Sequence, residues 1–576
     1  MFIDAETLTN ETTFNSDITI VGAGPAGIVL ALELAKAGYE VALVESGNLD
    51  FSEAIQKLGE ASYFDPQFHA PMPECTRRQL GGTSVIWGGR CLPYDRVDFD
   101  QRDYIPHSNW PLTYEELEGY FQKACDYFFC GRAEFDIKNI TDIEQTSLVP
   151  GLPDEQVLTS TLERWSLPTN FGKEYSTELQ QHARIKLLYG LTCTQIETND
   201  SGAHVERVQA KTLGGKTLYL QAREYILSGG ALNTTRLLLA SDQYCAGGLG
   251  NHSGLLGKFY MGHLSGEIAT VHFTTPPKET IFGFDRDSDD IYLRRRFSFT
   301  REFLHQKELT NVVSWLGSPK FGDPSHQNGI LSSAYVALNL PILKHYLTST
   351  AMRKAAIGQD QQGIYWSHVL NILRDLGQTL SFIPSFAYGR FVAKRKIPAL
   401  FVYSAANEYP LHYHGEQVPN PNSTVSLSSD RDALGMRRLD INLRYLQQDI
   451  DSVINAHRYW DEHLRKHNCG YLKYLTNDLE ASVWEQAGDG FHQIGTTRMS
   501  RDPQQGVVDV NCKIHGLDNL YVASSSNFVT SGQANSTFMI VAFALRLSDY
   551  LKQKQKQEKA CSAPPNLIVH PTTSTM

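Results

Sequence analysis

The stretch DITIVGAGPAGIVLALELAKAGYEVALVESG, Asp17 to Gly47, constrains this chain more than any other. A β-branched run, Ile18 to Val21, leads into Gly22, Gly24 and Gly27 in the order G-x-G-x-x-G. A helix-period run, Ala26 to Ala37, follows and closes at Gly38. Gly22 permits the tight turn, Gly24 lets backbone approach a pyrophosphate, and Gly27 allows the helix to lie close on the strand. The phosphates would meet the free N–H groups at the positive end of the helix. A second apolar strand, Val41 to Val44, ends at Glu45, whose carboxylate can accept hydrogen bonds from both ribose hydroxyls. Strand, glycines, helix, strand and acid together predict a Rossmann-like βαβ unit that holds a dinucleotide. The motif leaves NAD and FAD both open, and its place within the first thirty residues leans towards FAD.

A chain of 576 residues exceeds the size at which one core stops growing, so two interwoven or consecutive domains are expected. The net charge of −11 offers no field to attract phosphate backbones, which argues against nucleic acid as the main partner. Asp4 to Asp17 lack the basic start and apolar core of a signal peptide. No uninterrupted apolar stretch reaches the roughly 18 residues that span a bilayer. Nine dispersed cysteines fit reduced thiols better than a disulfide framework, and a cytoplasmic protein is expected. No metal site is predicted: His412 and His414 share a probable strand without a third nearby ligand.

A loop with a high glycine count follows the first unit: Gly81 and Gly82, then Thr83, Ser84, Val85, Ile86 and Trp87, then Gly88 and Gly89. Two Gly-Gly pairs around a tryptophan suggest backbone pressed against something flat; the bland alternative is a pair of mobile turns. Thr113 and Glu116 read as the capping box of a helix. Arg184 to Leu220 reads as strands, Ala222 to Gly230 as a strand ending in Gly229 and Gly230, and Asn233 to Ala240 as a helix. Beyond about Glu267 the character changes. Ile268–Phe273, Ile291–Phe297, Ala399–Tyr403, Thr424–Leu427 and Leu439–Tyr445 read as strands, and Tyr346–Pro398 mostly as helices. The basic cluster Lys394, Arg395 and Lys396 could touch a membrane surface, although a solvated helix end is the commoner meaning of such a cluster. The polar end, Lys552 to Met576, reads as disordered.

The C-terminal quarter carries the chemistry. FHQIGTTRM with GVVD, Phe491 to Asp509, and NLYVASSSNFVTSGQANSTFMIVAFALRL, Asn519 to Leu547, place a histidine and an asparagine in loops. With the opening motif and GGTSVIWGGRC, Gly81 to Cys91, these segments resemble the glucose–methanol–choline (GMC) family of FAD-dependent oxidoreductases. The likeness runs from Asp17 to about Tyr550, and bacterial members that oxidise sugars or aminoglycosides are nearest. It implies an α/β fold in which a Rossmann-like FAD-binding domain is interleaved with an α+β substrate-binding domain. The expected division is 15–75, 184–266 and 489–551 for the FAD domain, 76–183 for the flavin-contact loop and connecting helices, and 267–488 for the substrate domain. A tail of 552–576 completes it.

By this resemblance His492 is the active-site histidine and Asn535 its partner. Alcohol oxidation requires the hydroxyl proton to leave while hydride passes to flavin N5; a histidine accepts a proton near neutral pH. An asparagine amide can hold the oxygen without competing for that proton. The bland readings are a satisfied buried histidine and a helix N-cap ahead of Ser536. Cofactor contacts are expected from Gly22, Gly24, Gly27, Glu45, Gly81, Gly82, Thr83, Ser84, Trp87, Gly88, Gly89, Thr194, Gly229, Gly230, Ser524, Ser536 and Thr537. Some members tether FAD through a histidine in the second motif. Here that stretch is Ser84-Val85-Ile86-Trp87, so non-covalent FAD is expected. The usual proline after the asparagine is Ser536, and an acid often found before the final loop is Ser524.

The reading is an oxidase or dehydrogenase acting on a primary or secondary alcohol, a sugar, glycoside or polyol-bearing product. Dioxygen, a quinone or another acceptor would take the electrons. A lyase on the same scaffold and a non-catalytic flavoprotein are the alternatives. Absence of flavin bleaching with every alcohol marks the first, and indifference to loss of His492 the second.

Overall fold

A computed structural model describes residues 1–562, except 145–146, 168, 341–352, 354–355 and 359–364. The βαβ unit is present as strand Thr13–Val21, helix Pro25–Lys36 and strand Val41–Val44. These strands lie in an eight-stranded sheet whose order is Phe2–Asp4, Ile185–Tyr189, Val41–Val44, Thr13–Val21, Thr217–Leu227, Val205–Lys211 and Thr192–Thr198. Leu520–Val522 pairs in parallel with Thr217–Leu227, which brings the end of the chain against its beginning. The pairs nearest the glycine loop are parallel. Val41–Val44 is buried at every position, on both faces, and Ile18–Ile20 and Tyr225–Leu227 are buried beside it. The final helix, Thr537–Ser562, packs on Pro25–Lys36.

A second sheet is antiparallel, in the order Val312–Leu316, Glu408–Glu416, His263–Phe273 and Gly470–Tyr474. The helix Gln447–Lys466 covers it, burying Trp460 and Ile450 in its core. The molecule therefore has an FAD-binding-type α/β domain and a second, substrate-binding-type domain threaded through it. Ala61–Tyr63 pairs with Arg437–Asn442, and Leu162–Trp165 lies between Arg90–Cys91 and Tyr292–Arg295. Segments from the first third of the chain thus complete sheets of the middle.

Several sequence expectations are corrected. Ala399–Tyr403 is not a strand. Its Phe401 ring stacks edge-on against Phe284, and its Leu400 carbonyl accepts the Ser318 hydroxyl, so side-chain burial replaces ladder pairing. Lys552 onwards is not disordered up to Ser562. The helix continues because Lys552 reaches Glu33 and Asp549, and Lys554 reaches Glu224, at 2.5–3.1 Å. The Thr113–Glu116 box is half made: the Glu116 carboxylate accepts the Thr113 N–H at 2.8 Å, and the helix starts at Glu115. Of the helices expected over Tyr346–Pro398, the part at 346–364 falls almost wholly outside the described residues. Tyr365–Arg374 and Leu376–Ala387 are helical.

The connecting segment is tied to the second sheet by a fully buried, two-pronged ion pair, Arg102 Nη1 and Nη2 on the Glu416 carboxylate at 2.7 and 2.6 Å. Glu416 also accepts the Asn311 N–H at 2.9 Å. Removing one partner strands the other charge away from water, which costs about 3–5 kcal/mol. Arg102→Ala should therefore lower the urea midpoint sharply, whereas Lys36→Ala, at an exposed pair with Glu178, should leave it unchanged.

Candidate active site

A cleft of ≈ 1510 Å³, counting the space at its mouth, opens at the carboxyl ends of the parallel strands. Gly22 has φ +108°, and a Cβ there would lie 2.6 Å from the Ser228 carbonyl oxygen. A Cβ on Gly27 would stand 1.9 Å from the Gly22 carbonyl oxygen, so no side chain fits. Gly24 precedes the helix and lines the cleft, while Gly27 lies beneath it and acts only through packing. Glu45 is buried at the end of its strand. Its two oxygens accept the Ala23 and Gly47 N–H groups at 2.8 Å each. Burial raises its pKa, against those bonds and the Arg78 guanidinium.

The second wall is the turn Gly82–Val85. Gly82, Thr83, Ser84 and Trp87 line the cleft. Ser84 Oγ donates to the Gly81 carbonyl at 2.6 Å, and Trp87 Nε1 donates to the Thr169 carbonyl at 2.9 Å, which fixes the loop as a rigid wall. Gly81, Gly88 and Gly89 are not in the lining. Gly81 packs on Gly172, Gly88 is exposed, and the Gly89 carbonyl accepts the Ser166 N–H at 2.8 Å. Gly229, Gly230, Ser524, Ser536 and Thr537 all line the cleft. Thr194 does not. It is the extra residue of a β-bulge between Gln209 and Ala210 of the partner strand, and its hydroxyl bonds the Gln209 carbonyl. Thr192 and Cys193 line the cleft instead.

Arg78 is a wall residue that motif reading passed over, although it stands three residues before Gly81. It is buried, bonds Ser46 Oγ and Asn233 Oδ1 at 2.8 and 2.6 Å, and burial brings its pKa down to about 10. Bound there, it would put a positive charge beside a pyrophosphate. A glycine cradle that a Cβ would fill, a ribose-length acid and a lining cation fit FAD.

At the far end the two residues expected to carry the chemistry come together, with Asn535 Nδ2 donating to His492 Nε2 at 2.7 Å. Neither residue lines the cleft itself, but Phe491, Gln493 and Ser536 beside them do. Asn535 Oδ1 is buried without a hydrogen-bond partner. The asparagine oxygen therefore makes no helix-capping bond.

The sequence gives little sign of what holds His492. The buried Asp489 carboxylate accepts from His492 Nδ1 at 3.0 Å and from the N–H groups of Phe491, His492 and His263 at 2.8–3.2 Å. Burial alone would raise its pKa, but His492 and His263 beside it hold it well below the usual range. Because Nδ1–H is thus engaged, the Nε2 lone pair is left towards Asn535.

The expectation that His414 has no third ligand nearby is corrected. His263, His414 and His492 form a cluster with ring nitrogens within 4.8 Å of one another. His414 lies diagonally opposite His263 on the adjacent strand, which no local spacing reveals, and the two rings stack at 4.3 Å. His414 Nδ1 donates to the Gln533 carbonyl at 2.7 Å, and His263 Nε2 to the Ser531 carbonyl at 3.2 Å. Burial lowers the pKa of both, and for His414 the neighbouring His263, Arg90 and His492 lower it further. At neutral pH both are uncharged, which keeps the wall of the site from competing for a proton. His412 points elsewhere, to Ser265 and Glu267.

Residues 419–544 match the family model for GMC oxidoreductase, and residues 15–54 match that for an FAD binding domain. Relatives include 2-methyl-1,2-propanediol dehydrogenase of Mycolicibacterium austroafricanum, 22% identical over 94% of this chain and 95% of that protein. Another is 6'''-hydroxyparomomycin C oxidase of Streptomyces lividus, 23% identical over 92% of this chain and 90% of that protein. Among solved structures, a formate oxidase aligns with a TM-score of 0.53 at 16% identity, over 96% of this chain and all of that one. Pyridoxine 4-oxidase from Mesorbium loti aligns with a TM-score of 0.51 at 15% identity, over 93% and 99%. These likenesses in structure are of fold.

Gly27→Ala should abolish flavin retention. The measurement is visible flavin absorbance per protein after gel filtration, with Gly38→Ala, whose added Cβ meets no atom within 4 Å, as a control for the positive-φ strain of an exposed glycine.

Proposed function

The chain is a GMC-family, FAD-dependent oxidoreductase of alcohols, and on that premise we propose that His492 is the base and Asn535 the group that positions the substrate oxygen of a polyol or sugar-like alcohol. The observation that carries this reading is the hydrogen-bonded line Asp489–His492–Asn535, which turns the His492 Nε2 lone pair towards the asparagine amide. FAD, when bound, supplies the hydride acceptor.

The chain's own part is to orient and to hold a proton. Asp489 keeps the His492 proton on Nδ1 and the lone pair on Nε2. A substrate hydroxyl displaces the Asn535 amide N–H from Nε2, gives its proton to that nitrogen and accepts a hydrogen bond from Asn535 Nδ2. As His492 gains the proton it becomes positive, and the Asp489 carboxylate 3.0 Å away stabilises it. His414 and His263, neutral and fixed by carbonyls, crowd the imidazole and exclude water from its other edge.

Beyond His414 stands Trp315, its ring lying between Arg294 at 4.1 Å and Arg90 at 4.7 Å. Both guanidinium groups are also held by the Glu163 carboxylate. Two of the relatives are named for a diol and an aminoglycoside.

Anaerobic titration with sugars, glycosides, diols and simple alcohols should bleach the oxidised flavin band with polyols. His492→Ala and Asp489→Asn should keep the flavin but slow bleaching on the order of 10²- to 10⁴-fold. Bleaching at the wild-type rate in His492→Ala would remove it as the base. Readmitted air identifies an oxidase by return of the band; a quinone does so for a dehydrogenase.

A further inference from the structure

The helices Tyr365–Arg374 and Leu376–Ala387 are inside out. The residues they bury are polar: His368, Asn371 and Thr379 pack against the helix Gly329–Asn339. His368 Nδ1 shares a hydrogen bond with Ser332 Oγ at 3.0 Å, its ring stacks on Tyr335 at 4.1 Å, and Asn371 donates to the Pro324 carbonyl at 2.9 Å. Their apolar residues face outwards. Trp366 is 77% exposed, Leu370 62%, Leu373 61% and Leu380 62%. The spacing 366, 370, 373 and then 376, 380, 383 draws one stripe along each helix. Of the 22 exposed large apolar side chains among the described residues, ten lie between 365 and 392. A patch of this concentration on a water-facing surface marks a contact.

Charge says with what. Over 329–398 the sequence holds eight Lys and Arg against two Asp and no Glu, in a chain whose net charge is −11. Of the basic residues, Arg374 and Lys394 are exposed. Arg395 is used internally, on the Phe129 and Trp165 carbonyls, and Asp375 is used to accept the Gly329 N–H at 2.9 Å. The face is therefore an aliphatic and aromatic stripe rimmed by positive charge. No described helix is long and apolar enough to cross a membrane.

We propose that the face formed by Tyr365–Val392 docks on an anionic lipid bilayer, with the stripe sunk among the acyl chains and Arg374 and Lys394 at the headgroups. This does not rest on the reading of the active site. The protein binds peripherally, and its attachment strengthens with acidic lipid.

Co-sedimentation of the flavin-loaded protein with vesicles of phosphatidylcholine plus phosphatidylglycerol, and of phosphatidylcholine alone, tests it. Binding to the mixed vesicles should be at least about tenfold tighter. Arg374→Gln with Lys394→Gln should remove about twenty-five-fold, since each basic side chain at an anionic surface is worth about fivefold. Leu370→Ser, Leu373→Ser and Leu380→Ser combined should abolish binding, with flavin absorbance and bleaching by alcohol retained as proof of fold. The proposal is overturned if the wild type stays in the supernatant with both lipids. Equal binding to both lipids overturns the charge argument behind the choice of a membrane. If the triple substitution instead turns a dimer into a monomer, the face is a contact between copies and the lipid proposal falls.

Discussion

The Asp489 carboxylate takes hydrogen bonds from three backbone N–H groups and from the His492 ring, and one of those N–H groups, that of His263, belongs to a strand of the second domain. The adjoining backbone is tied down too, because the Ala70 N–H donates to the Asp489 carbonyl at 2.7 Å. A buried anion with every oxygen engaged is costly to move, since any shift leaves donors or charge unpaired. The orientation of His492 and the approach of the His263 strand both follow from it. The proposed base is thus held by the same contacts that join the domains.

The nucleotide end is governed by contact distance. Gly22 and Gly27 meet so closely that any Cβ would displace strand or helix, and Gly82 lies against Gly24 with only 3.0 Å for an added carbon. The cleft exists because backbone from the first and second motifs can approach without side chains between. Arg78 and Glu45 then add a basic and an acidic side chain to a wall that also carries the hydroxyls of Ser46, Thr83 and Ser84. Cofactor retention and local stability therefore depend on the same glycines.

Local pattern made the nucleotide unit legible. Val41–Val44 is the strand expected, and the helix after the glycines begins within one residue of its expected start, because turn, helix and strand signals there agree. His492 and Asn535 were readable from their loops, yet the 2.7 Å that joins them spans 43 residues of chain and has no local signature. Thr194 misled because a bulge breaks the alternation on which strand-face arguments rest. Ala399–Tyr403 misled because apolar, β-branched composition signals burial as well as pairing. The end of the chain reads as polar and loose, but its lysines find carboxylates on Glu33 and Glu224, hundreds of residues away.

By itself the sequence determined a dinucleotide fold, the family's chemistry and the identity of the proposed catalytic pair, because each is written in contiguous residues with fixed spacing. Tertiary structure alone decided the rest. Asp489 as the anchor, the neutral His263 and His414 around His492, Arg78 in the cofactor wall and the outward apolar stripe of Tyr365–Val392 arise from contacts between distant segments. The stripe shows the reason most plainly. Hydrophobic periodicity says that a helix has two faces, and only the packing of His368 and Asn371 inwards says which face meets the protein.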